Sequence, residues 1–100
     1  MAIIGNPFVG NVPRTMNNEE LVQALRLDII NEYEAIIGYE THAAASTDEK
    51  VKKALYDIAN EEKSHVGKLE QLVFQLSPQD AQRIDTGKQS ILQQQNTIQN

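Results

Sequence analysis

The stretch VKKALYDIANEEKSHVGKLEQLVFQL, residues 51–76, decides the fold. Val51, Leu55, Ile58, Leu69, Leu72 and Leu76 recur in alternating steps of four and three, the spacing of one face of an α-helix. Continuing those steps through the middle lands on Glu62 and His65, a carboxylate and an imidazole where the pattern asks for aliphatics. Upstream, Leu21, Leu25, Asp28, Glu32, Ala35 and Tyr39 step in the same way, and again the middle is acidic. A lone carboxylate is costly to bury, so these groups must be paired, protonated or bound to a metal.

Working outward, the punctuation delimits a hairpin. Asn17 or Asn18 is a good N-cap, and Glu19 and Glu20 follow in the first turn, where the helix dipole favours acids. This first helix runs to about Ala45. Ser46-Thr47-Asp48-Glu49 reads as a capping box, with Ser46 as the cap of a second helix that continues to about Leu76. Ser77-Pro78-Gln79-Asp80 opens a short third helix with Pro at its first position, and Gly87 is expected to close it. The Gln-rich remainder to Asn100 has little to bury. The expected organisation is an extended apolar arm over 1–16, a helical hairpin over 17–76, and a short helix with a polar tail over 77–100.

In the arm, Gly5, Pro7, Gly10 and Pro13 interrupt regular structure every few residues. The segment reads either as a disordered tail or as a docking peptide, because Ile3, Ile4, Phe8, Val9 and Val12 are more apolar than a solvated tail requires. The two long helices are about 28 residues each, or about 42 Å at 1.5 Å per residue. Leu25, Leu27, Ile29, Ile30, Ile36 and Ile37 surround much of the first helix, so a lone hairpin would leave apolar positions wet. The fold class is therefore all-α, a hairpin that completes a four-helix bundle by dimerisation.

Composition narrows the chemistry. Aromatic residues make up 5%, which suits packed aliphatic helices better than a β-sandwich. With no Cys there is no disulfide framework, thiolate zinc site, Fe–S ligation or Cys nucleophile. A net charge of −5 argues against nucleic acid as partner and for attraction of cations. No apolar run approaches the ~20 residues of a membrane span. The opening lacks a basic n-region and a long h-region, so a cytoplasmic location is expected.

The levels of the acidic positions agree. If the hairpin turns near Thr47, Glu32 lies as far before the turn as Glu62 lies after it, with His65 one turn along the same face. One chain offers a Glu from one helix and Glu-x-x-His from the other. Two antiparallel copies would supply four carboxylates and two imidazoles, the inventory of a carboxylate-bridged di-iron bundle. Such donors suit Fe and Mn, and Zn less specifically. Tyr39 lies two turns beyond Glu32, as a neighbour of the metals or as ordinary core. Glu34 points about 160° away from Glu32, so it is either solvated or a collector of arriving cations. His42 falls off the stripe and reads as a surface histidine.

The residues Asn31-Glu32-Tyr33-Glu34-Ala35-Ile36-Ile37-Gly38-Tyr39, Ala45-Ser46-Thr47-Asp48 and Asn60-Glu61-Glu62-Lys63-Ser64-His65, with the spacing between them, resemble the encapsulated ferritins, a branch of the ferritin-like superfamily. The resemblance covers roughly residues 20–76. It implies two-helix subunits pairing about a ferroxidase centre, with dimers joined into an open ring, typically a decamer. It implies oxidation of Fe(II) by O₂, with mineral stored inside a separate encapsulin nanocompartment. Position by position, it implies Glu32, Glu62 and His65 as metal ligands, Tyr39 as the tyrosine beside them, and Glu34 as part of a metal-uptake site. Asn31 stands where that site often has an acid, and Gly38 where an aromatic often flanks the centre. No Gly-Ser-Leu type shell-targeting peptide is evident in the C-terminal tail.

Two function classes follow. One is a ferroxidase taking Fe(II) and O₂, with a rubrerythrin-like peroxide reductase as a near relative that lacks its Cys-based module here. The other is a non-catalytic helical adaptor docking through the arm, its polar seam setting register.

Overall fold

In the computed structural model residues 14–99 are described, and side chains over 14–96; the arm reading at 1–13 lies outside the described residues. The described residues form three helices: α1 over Asn18–Ala45, α2 over Glu49–Leu76 and α3 over Pro78–Gln99. Among them there is no strand, and no helix is long and apolar enough to cross a membrane.

The start of α1 is closed from both sides. The Asn17 side chain accepts from the Glu20 N–H at 2.9 Å, and the Asn17 N–H donates to the Glu20 carboxylate at 3.1 Å. Arg14 grips the same carboxylate. That guanidinium first, and the Asn17 N–H second, hold the Glu20 pKa down to about 2.

At the second helix the sequence expectation needs correcting, because the cap is Asp48 and not Ser46. The Asp48 carboxylate accepts from the N–H groups of both Lys50 and Val51, at 2.9 and 3.1 Å. A charged acceptor is the stronger partner for a positive helix end. Ser46 serves the turn instead, its hydroxyl accepting from the Asp48 N–H at 3.2 Å.

A second correction concerns α3, which does not stop at Gly87 but continues to Gln99. A mid-helix Gly costs only about 1 kcal/mol against Ala, and the Gln-rich run that follows is a good helix former. No proline lies beyond Gly87 to break the chain.

The hairpin's own seam differs from the leucine-rich stripe read in the sequence. Val22, Ile36 and Ala43 are buried on α1, with half-buried Ile29 completing a spacing of seven. Ala59, Val66 and Val73 are buried at the same spacing on α2. Small side chains let two long helices approach closely, and spacing by sevens keeps them in contact along their length. Ala24 is also buried, off this line.

The seam divides the two-helix layer into two broad faces. Positions three after or four before a seam residue fall on one side, and positions three before or four after fall on the other. The front face carries Leu21, Leu25, Glu32 and Tyr39 from α1, and Leu55, Glu62, His65, Leu69 and Leu72 from α2. The back face carries Arg26, Ile30, Tyr33, Ile37 and Glu40 from α1, and Tyr56, Lys63, Glu70 and Phe74 from α2. A Lys63–Glu40 ion pair at 2.7 Å ties the helices together on the back. The first turns of α3 pack against the end of α2, and Asp80 pairs with Arg26 on that same side.

Candidate metal centre

Midway along the front face the two helices bring three donors together. His65 Nδ1 lies 3.6 Å from Glu32 Oε2 and 3.5 Å from Glu62 Oε2. One ligand atom from each residue falls within 4.8 Å of the other two. Glu32 reaches the site from α1, while Glu62 and His65 stand one turn apart on α2. The α2 pair flanks the small seam residues Ala59 and Val66, whose tight packing fixes the phase of that face.

Glu32 Oε2 is buried and has no hydrogen-bond partner. An ionised oxygen in that position lacks the pairing that burial demands. A cation between the donors would supply it. Two donors each about 2.1 Å from one cation stand roughly 3.0–3.4 Å apart, close to the separations seen here. The donor set of two carboxylates and one imidazole fits iron or manganese, with zinc less specific. The chemistry and spacing of these residues therefore fit a metal, although three donors fall short of the six of an octahedral ion. The His65 side chain is 48% exposed, and the site opens outward from the hairpin.

The other expected site residues are placed differently. Tyr39 is half-buried on the same face, outside the cluster. Glu34 is exposed and turned away from it, so no geometry links it to the three donors. His42 is exposed. Gly38 has open space where a Cβ would stand, so no neighbour demands a glycine there. The Lys63–Glu40 pair beside Glu62 went unread in the sequence. Only the spacing of small residues by sevens, which sets the true seam, could have pointed to it.

No family model matches the chain. It is 41% identical over 86 residues to a ferritin-like–encapsulin shell fusion protein of Pyrococcus furiosus, covering 86% of this chain and 25% of that protein. It is 37% identical over 76 residues to the encapsulin nanocompartment cargo protein EncC of Myxococcus xanthus, covering 76% of this chain and 58% of that one. The chain thus spans about a quarter of the length of the first relative and little more than half of the second. In three dimensions it is similar to the crystal structure of an encapsulated ferritin domain from Pyrococcus furiosus, with a TM-score of 0.79 and 40% identity. That match takes in 91% of this chain and 92% of the other.

Proposed function

Because this chain belongs to the encapsulated ferritin family, we propose that it is a ferroxidase that oxidises Fe(II) with O₂ at a di-iron site shared between two copies. The observation that carries the reading is the half-open cluster of Glu32, Glu62 and His65, with Glu32 Oε2 buried and unpartnered.

Iron is substrate as well as occupant in this reading. Glu32 from α1, with Glu62 and His65 from α2, holds one half of the coordination. The same three residues of a second, antiparallel copy complete four carboxylates and two imidazoles. The negative charge of the carboxylates offsets the charge of the cations and favours the ferric product over the ferrous substrate. His65 would hold the metal through a neutral imidazole nitrogen. Each Fe(II) would give up one electron, so a pair of irons would reduce one O₂, with two protons, to hydrogen peroxide. The acidic surface, Glu34 included, raises the local concentration of cations around the chain, and Tyr39 lines the front face two turns from Glu32.

The relatives' names give the setting. One is fused to an encapsulin shell and the other is cargo of an encapsulin nanocompartment. We propose that this chain works inside such a shell in the cytoplasm, as dimers assembled into a ring, with the shell holding the ferric product. Anaerobic loading with Fe(II), metal analysis, and O₂ uptake after exposure to air test the chemistry. Stoichiometric iron, and O₂ consumption that fails in Glu62→Ala and His65→Ala, are expected. Full activity in both variants would remove these residues from the site, and a metal-free protein would favour the adaptor reading.

A further inference from the structure

The donor cluster draws on two helices, so its geometry depends on how those helices are held to each other. Glu32 comes from α1, and Glu62 and His65 come from α2. Glu32 and Glu62 flank one layer of the seam, that of Ile36 and Ala59, which lie eleven residues before and twelve after Thr47. Ala59 is fully buried there, and so small a side chain offers little to stop one helix rolling on the other. With no cation between them, two carboxylates whose oxygens stand within 4.8 Å repel and favour opening on the front.

The same layer carries the opposite arrangement on the back. Glu40 stands four residues after Ile36, and Lys63 four after Ala59. Helical side chains lean toward the N-terminus of their own helix, and these helices run in opposite directions, so the two reach over the layer from its two ends. Lys63 Nζ meets Glu40 Oε2 at 2.7 Å and donates to Asn60 Oδ1, one turn back on α2, at 3.4 Å. Among the described residues this is the one Lys or Arg ion pair that joins α1 to α2. An exposed pair of this kind contributes little to overall stability. Its place gives it a different effect, because attraction on the back opposes repulsion on the front across a thin seam.

We propose that Lys63 and Glu40 are positioning residues for the metal centre, clamping α1 to α2 behind the layer that carries Glu32, Glu62 and His65. The inference rests on the metal-centre reading and deepens it. Neither residue belongs to the donor cluster. Without the clamp the front opens, and donors that a cation needs held to within about 0.5 Å drift apart.

Charge alone predicts the opposite sign, which gives the test its force. Lys63 is a cation near a cation site, so deleting its charge would tighten metal binding if only Coulomb forces acted. Anaerobic titration of Fe(II) into the whole chain reads affinity without turnover. Lys63→Met keeps the apolar stem and should weaken binding about tenfold, the lower end of the loss for residues that orient metal ligands. Glu40→Gln should weaken it by a similar factor, and the two together no further. The reversed pair, Lys63→Glu with Glu40→Lys, should recover the affinity, and it decides alone if Lys63→Met does not fold. Unchanged or tighter binding by Lys63→Met, or a reversed pair that stays weak, would overturn the proposal. So would a loss of affinity matched by a lower urea midpoint in the metal-free protein, which marks a merely structural pair. Normal binding by the clamp variants beside a metal-free Glu62→Ala would sink the clamp alone. Fe(II) held as tightly by Glu62→Ala as by the parent would remove the centre, and the clamp with it.

Discussion

Glu32 and Glu34 sit two positions apart on one helix, carry the same charge, and meet different surroundings. One buries an oxygen against His65, and the other faces water. Spacing alone separates them, because only Glu32 continues the steps of Leu25 and Tyr39. The same logic singles out Glu62 and His65 as the polar breaks in an aliphatic stripe. Tyr39 was legible as the end of the same stripe and Glu34 as a residue turned away from it, and neither belongs to the donor cluster. Glu32→Ala should empty the centre of iron. Glu34→Ala should leave bound iron unchanged and alter only the rate of uptake and its salt dependence. Metal analysis with stopped-flow kinetics at two ionic strengths distinguishes them. The reverse pattern would mean that the two residues have exchanged faces.

At the scale of the helix, the boundaries of α1 and α2 were readable because caps obey local rules. The error at the second cap is equally local. Ser46 and Asp48 both suit the role, and the choice between them depends on which backbone N–H groups each can reach. Asp48→Ala should cost about 1 kcal/mol of stability, the usual loss for a helix cap, and Ser46→Ala should cost less. Urea denaturation reads the difference, and a larger loss for Ser46→Ala would restore it as the cap. The Glu20 cap adds a pH dependence. Its pKa falls from 4.5 to about 2 on folding, so its contribution is present above pH 4.5 and is lost as the pH falls toward 2. Carboxyl NMR titration should find the depressed value, and Arg14→Ala should move it upward. The length of α3 was not legible, because Gly87 signals a stop only when a cap or a proline supports it.

For the molecule as a whole, fold class was legible and the hairpin's interior was not. The leucine-rich stripe of α2 looks like the core, yet Val51 and Leu72 stand exposed on the front face while Ala59, Val66 and Val73 form the seam. A large aliphatic stripe signals burial without naming the partner, and here it borders the cluster of Glu32, Glu62 and His65. On the proposed function, metal and assembly share an energetic origin. A cation bridging two copies binds the pair and not the single chain, so it stabilises association by about 2.7 kcal/mol at one hundred times its dissociation constant. Native mass measurement under anaerobic conditions should therefore show Fe(II) raising the population of paired chains. Glu62→Ala should abolish that increment. Leu72→Glu should weaken pairing even with Fe(II) present, because it places a charge where the second front face would pack in the proposed pair. A monomer with and without Fe(II) would exclude a shared site, since such a site exists only where two copies associate.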